Sequence, residues 1–265
     1  MTEVNREGLS RTIPDPVARE IRQRCGFGCV VCGLALYHYH HFDPPFSEAR
    51  THDPAGITLL CGSCHDAETR GHLSSETIRR SAANPMTFQR GYARAAFDLG
   101  RNRPAVKFGG TLFEGMETLL EVDSEPILAV RPAEEANAPY RLSGLFTSAS
   151  GVKLFRIEDN EWRGDLTAWD IQVEGGTITV RAGERRIALV LEVRPPHLIT
   201  VAQIDMLHRG THITGRGDGP FSVTSPEGSV FTFSQLGEIR TGQEGVGIHS
   251  GADGIRVAAS HRARK

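Results

Sequence analysis

Lysine is almost missing from this chain: Lys107, Lys153 and Lys265 are the only three in 265 residues, so arginine carries the basic charge. Long apolar runs are missing too. No window approaches the roughly 18 apolar residues that a membrane-crossing helix needs, which excludes that class of anchor. The opening stretch, MTEVNREGLSRTIPDPVARE, holds no apolar segment of signal-peptide length, so the expected location is the cytoplasm, with no membrane partner. Cysteine is scarce. Five in a cytosolic chain of this length make no disulfide framework and point to metal binding or a lone thiol. A formal net charge of -2 excludes bulk polycation binding to nucleic acid, while leaving room for a local basic site. A hydrophobic fraction of 39% against 23% charged suits a folded chain with a real core, in one large or two modest domains.

The residues that are present are unevenly placed. Up to Pro104 there are 13 Arg and 11 Asp plus Glu, and the remainder holds 17 Lys plus Arg against 21 Asp plus Glu. All five Cys and six of the 11 His lie in the first part, and 20 of the 29 Gly in the second. Residues 14–24 (PDPVAREIRQR) predict a short amphipathic helix, and 34–42 (LALYHYHHF) an extended segment stopped by Asp43-Pro44-Pro45. Residues 57–60 (ITLL) lead into Cys61; beyond it a helix, a turn at Gly71 and further helical stretches through 100 are expected, with Ser74 or Ser75 as a cap and a break near Asn84-Pro85. After the proline-bearing stretch Arg101–Pro104 the period changes to two. VKLFRI (152–157), TITVRA (177–182), RIALVLEV (186–193), LITVAQI (198–204), SVFTFSQL (229–236) and GIRVAA (254–259) read as strands punctuated about every ten residues. The expected fold class is α+β by concatenation: a metal-bearing head, 1–104, then an all-β domain, 105–265, built as a sandwich, barrel or solenoid.

Cys29-Val-Val-Cys32 and Cys61-Gly-Ser-Cys64 are two CxxC turns separated by 28 residues. Each such turn aims two thiolates at one point, and two turns complete a tetrahedral shell for Zn²⁺. Four thiolates leave no open coordination position, so this zinc would staple the fold rather than perform chemistry. Cys25, the odd one, reads as a small buried hydrophobe. Between the turns stands Tyr37-His38-Tyr39-His40-His41-Phe42-Asp43-Pro44, and His65 directly follows Cys64.

This layout resembles the HNH nuclease family, whose ββα-metal fold often carries flanking zinc knuckles. The resemblance covers residues 11–75 and rests on His40-His41-Phe42-Asp43-Pro44 and Cys61-Gly-Ser-Cys64-His65 occurring in that order. It implies His41 as the general base that deprotonates the attacking water, with His40 and His65 binding one divalent cation. A His ligand where many relatives have Asp makes Zn²⁺, Ni²⁺ or Mn²⁺ as suitable as Mg²⁺. The position of the family's middle Asn is here Gly56, which leaves His52, Asp53 or the backbone alone to brace the loop that orients the base. Strand alternation sends His40 and His41 to opposite faces unless the strand bends at Asp43-Pro44-Pro45. His72 would join His65 on one helix face if the helix continued through Gly71, and Arg19, Arg22, Arg24, Arg70, Arg79 and Arg80 are candidates for phosphate contact.

The function expected from the resemblance is metal-dependent endonucleolytic hydrolysis of DNA, with a β domain that recognises, controls or forms homo-oligomers. The alternative is a zinc-stapled module that binds nucleic acid or protein without chemistry. Bacterial antiviral and toxin systems, in which such nucleases occur, would suit a β domain that senses a ligand and controls the head.

Overall fold

The computed structural model describes residues 4–233, 238–240, 246–252 and 254–257, in which strand far outweighs helix. The chain divides into two compact units, Met1–Ala95 with Gly164–Gln172, and Ala96–Arg163 with Val173–Lys265. The segment 164–172 therefore belongs with the cysteine-bearing part, although it lies far beyond Pro104. Among the described residues no helix is long and apolar enough to cross a membrane.

In the first unit, α1 (Asp15–Arg24) begins behind Pro14, with Asp15 in its first turn and Arg22 and Arg24 in its last, the charge order that complements a helix dipole. Its buried stripe is Ala18, Ile21 and Arg22. β1 (His38–His41) pairs antiparallel with β2 (Ile57–Leu60), setting His40 opposite Thr58 and His41 opposite Ile57. All four residues of β2 are buried, so it reads as a continuous apolar run rather than an alternating one. α2 (Gly62–Thr69) starts at Cys61, α3 (Ser75–Ala83) at Ser74, whose hydroxyl accepts from Thr77 N at 3.1 Å, and α4 (Met86–Arg90) follows Pro85. Ile21, Cys25, Cys29, Val30, Ile57, Leu59, Leu60, Cys61 and Ile78 form one core. Burying each of its large aliphatic side chains contributes about 1.5–3 kcal/mol.

One expectation is corrected here. Residues 92–96 (YARAA) form a strand, β3 (Tyr92–Ala96), where helix was expected. Gly91 ends α4 in the left-handed region at φ 86°, and Ala93 and Ala95 are buried while Arg94 and Ala96 are exposed. Burial of every second residue overrides the helix preference of Ala and Arg.

The second unit contains two sheets. In one, Thr118–Val122, Glu125–Arg131, Arg141–Thr147 and Lys153–Glu158 run antiparallel in sequence, with Val246–Gly251 parallel to the first and Gly254–Val257 beyond it. In the other, Thr177–Gly183, Arg186–Arg194, Leu198–His208, Thr211–Arg216, Phe221–Thr224 and Val230–Phe233 form an antiparallel meander. Ala105–Phe108 joins it parallel to the start of Leu198–His208 and is paired antiparallel with Thr111–Glu114. The Thr147 hydroxyl donates to Leu207 O at 2.7 Å, tying the sheets together, and Phe108, Phe113, Phe221 and Phe233 pack edge and face between strands. The six runs read from alternation fall on strands, except that residues 234–236 and 258–259 lie outside the described residues.

Candidate metal centre and histidine cluster

Backbone geometry builds the thiol cluster first. The turn after Cys29 is closed by Gly33 N donating to Cys29 O at 2.7 Å and Cys29 N donating to Leu34 O at 2.8 Å. Val30 N donates to Leu59 O at 3.0 Å, which fixes this turn against β2 and hence against Cys61. Cys61 Sγ accepts from Cys64 N at the start of α2. The result is four sulfurs, of Cys29, Cys32, Cys61 and Cys64, all within 4.8 Å of one another, with Cys32 and Cys61 at 3.6 Å. A tetrahedral Zn–thiolate shell with 2.3 Å bonds has sulfur–sulfur edges of about 3.8 Å, so the donors fit such a cation. Burial and hydrogen bonding with Cys61 push the Cys64 thiol up to about 12, and the hydrogen bond with Cys29 followed by burial raises Cys32. Thiols this crowded resist joint deprotonation, and a divalent cation reverses that resistance. These four cysteines could hold a metal ion such as zinc. Cys25 stands apart, buried beside the Thr58 hydroxyl at 3.5 Å.

The histidines divide into two groups. His38 and His40, two apart on β1, share a face with His65 of α2: the His40 and His65 rings meet edge-on with centroids 5.1 Å apart, and His38 lies 6.0 Å from His65. Burial lowers the His40 pKa and His65 lowers it further, while Glu68, one turn past His65, works against both. His41 makes its ring contacts elsewhere, with Phe46 at 5.2 Å and His52 at 5.3 Å, and its Nε2 shares a hydrogen with His52 Nδ1 at 3.2 Å. Burial first, then His52, His40 and Arg11, push the His41 pKa down to about 4. The Arg11 guanidinium lies 4.5 Å over the Phe46 ring.

Gly56 is a steric necessity of the loop that joins the strands. Phe42 N and Asp43 N both donate to Gly56 O, at 3.0 and 3.2 Å, and a Cβ on Gly56 would stand 1.9 Å from Asp43 O. The Asp53 carboxylate is occupied within its own turn, accepting from Ala55 N at 2.9 Å. The Asn5 side chain donates to Phe46 O and Ala49 O at 2.5 and 2.7 Å, pinning the same loop from the N-terminal segment.

Two of the six candidate phosphate-contacting arginines serve the fold instead. Arg22, 4% exposed, forms a two-pronged pair with Asp170, 0% exposed, at 2.8 and 2.7 Å, and its third arm donates to Tyr39 Oη at 2.8 Å. Burial disfavours the Arg22 charge, but the hydrogen bonds to Asp170 and the charge of its neighbours outweigh it and raise the pKa. Arg24 donates to Pro54 O at 2.7 Å and to Ile57 O. Arg19 lies 4.9 Å over the Trp169 ring, Arg70 pairs with Asp66 and Arg79 stands 3.8 Å from Asp43. His72 is off the helix as a further correction, because α2 ends at Thr69 and the chain turns through Gly71, leaving His72 exposed. Nothing in the sequence marks Glu68, Arg11 or Asp170, whereas His52, one of the candidate braces of the loop that orients the base, stands against His41. No protein-family model, curated protein or solved structure matches this chain.

Proposed function

We propose that the first unit is a metal-dependent endonuclease of the HNH type, hydrolysing phosphodiester bonds of DNA. The observation that carries this reading is the meeting of His40 and His65 beside the four-thiol cluster. β1, β2 and α2 follow one another as strand, strand, helix, and Cys61 at the β2–α2 junction anchors the cluster that fixes this geometry. His40 and His65 offer two imidazole lone pairs to a divalent cation, and the depressed His40 pKa keeps its lone pair available at neutral pH. Such a cation, when bound, supplies positive charge beside the scissile phosphate where the transition state gathers negative charge. His41, the adjacent residue, is uncharged at neutral pH, the form a base needs, and contact with a cation-bound water would have to offset the weaker basicity that its lowered pKa brings. The second unit would set oligomeric state, targeting or control, since without a net positive charge it is a poor holder of a phosphate backbone by itself.

A second reading, a zinc-stapled binding module without chemistry, draws on one observation: His41 makes its ring contacts with His52 and Phe46 rather than with the His40 and His65 pair. Incubation of the full chain with plasmid DNA under Mg²⁺, Mn²⁺, Ni²⁺ or Zn²⁺ separates the two. The nuclease reading expects nicking that His41→Ala abolishes, with DNA binding and zinc content near wild type. His40→Ala and His65→Ala should weaken cleavage in a way that raised cation concentration partly restores. Equal cleavage by His41→Ala removes the base assignment, and DNA retention without cleavage under every cation favours the module.

A further inference from the structure

His41 and His52 share a single hydrogen between Nε2 and Nδ1 at 3.2 Å. Of two neutral imidazoles so placed, one donates and the other accepts. If His52 donated, the remaining hydrogen of His41 would sit on its Nδ1, and neither nitrogen of His41 would have a lone pair free for water. If His41 donates from Nε2, its Nδ1 keeps a free lone pair. Which ring donates thus decides whether His41 can take a proton directly from water.

His52 has given up half of its own hydrogen bonding to stand there. Its Nε2 is buried with no partner among the described residues. Either tautomer of His52 leaves that nitrogen unsatisfied, at a cost of about 1–3 kcal/mol, so burial does not choose between them. A buried polar atom left unsatisfied calls for a reason, and a role toward its neighbour is one. The surrounding loop holds the ring in place: Asn5 fixes the backbone at Phe46 and Ala49, and Gly56 O takes the two amides that follow His41.

We propose that His52 is a positioning residue for His41: its Nδ1 accepts the hydrogen of His41 Nε2, and this leaves His41 Nδ1 as the nitrogen that meets the attacking water. The proposal rests on the nuclease reading above. When His41 takes up the water's proton at Nδ1, the Nε2–H···Nδ1 bond becomes charge-assisted and holds the new imidazolium. No proton need leave the pair until the product departs.

The test uses the full chain with plasmid DNA and the cation that supports most cleavage, comparing His41→Ala, His52→Leu and His52→Asn. Leu keeps bulk without an acceptor, whereas Asn puts Oδ1 where His52 carries Nδ1. His52→Leu is expected to lower kcat by about 100-fold, within the range of general-base effects, with KM changed little. His52→Asn should recover a tenth or more of the wild-type kcat, and zinc content should be equal in all. Full kcat in His52→Leu while His41→Ala is inactive overturns the proposal and leaves the nuclease reading standing. Loss in both His52 variants also overturns it, because an acceptor alone is then not what His41 needs. If His41→Ala cleaves like wild type, the base assignment falls and the proposal with it, while the nuclease reading stands; absence of cleavage by the wild type under every cation removes that reading. Nitrogen NMR of the wild-type imidazoles reads the geometry without activity, and keeps the proposal open to refutation should His52→Leu fail to fold. His41 protonated at Nε2 and coupled to His52 Nδ1 is expected; His41 protonated at Nδ1 overturns it.

Discussion

Gly56 shows how much a single residue can hide. A glycine at that place, where the resemblance expects Asn, looks like a lost side chain, yet the site has no room for any Cβ: the nearest atom is the Asp43 carbonyl oxygen at 1.9 Å. That oxygen belongs to backbone, which cannot swing aside as a flexible side chain would. Gly56→Ala should therefore cost about 1–3 kcal/mol, in the range of other overpacking substitutions, and thermal unfolding of the first unit would measure it. A change under a few tenths of a kcal/mol would mean that the loop yields freely. The cysteines were legible because their spacing states their chemistry. His52 was legible only as one of several candidate braces; its direct contact with His41 was not, because a loop whose closure depends on backbone hydrogen bonds to Gly56 makes it. Asp170 was still less legible: nothing in TAWDIQ marks an aspartate that a buried arginine 148 positions earlier requires. Removing it in Asp170→Ala leaves a buried guanidinium without its counter-charge, and about 3–5 kcal/mol of stability should go. Arg22→Met combined with Asp170→Leu should lose less than the single change, since no orphaned charge remains; denaturant unfolding of both variants beside wild type checks the order.

Elements follow the same division between what periodicity states and what neighbours impose. Long alternating runs were plain: RIALVLEV lies on Arg186–Arg194, with Leu189, Leu191 and Val193 buried on one face. Ser74 capped its helix as its side-chain chemistry requires. Four-residue strands such as Thr111–Glu114 are too short to show a period, and YARAA became a strand against its composition because Gly91 ended the helix before it. The short elements of the first unit lean on their cysteines. α2 has eight residues and none is buried, so little but the Cys61 and Cys64 anchorage fixes it beside β1. Elemental analysis of protein prepared without chelator should find one Zn²⁺ per chain. Cys61→Ser, or a strong chelator, should release it and unfold the first unit while the sheets of the second persist. Loss of far-UV helical signal with retained strand signal is the expected result; zinc-free protein of unchanged stability would exclude a structural metal.

At the scale of the whole molecule, composition marks a change near Pro104, but the compact unit that holds the cysteines also takes in Gly164–Gln172. The difference has a physical origin. Composition averages over a window, whereas a unit is defined by what its buried groups need, and Arg22 needs a carboxylate that its own stretch of chain does not supply. Gln23 adds to the attachment by donating from Nε2 to Trp169 O at 2.7 Å, and Arg19 covers the Trp169 ring. A fragment ending at residue 104 would keep every cysteine and histidine of the candidate site, bind its metal, and still lack this segment. It should therefore be less stable than the same unit in the full chain by about 3 kcal/mol or more, the cost of stranding one buried charge. Hydrogen exchange at the Val30 and Leu59 amides, read in the fragment and in the full chain, measures the difference where the core is deepest. Arg22→Met in the fragment should recover part of the loss, because it removes the stranded charge, while the same substitution alone in the full chain should destabilise by leaving Asp170 buried without its partner. Equal protection of Val30 and Leu59 in fragment and full chain would show that 164–172 contributes nothing to the first unit.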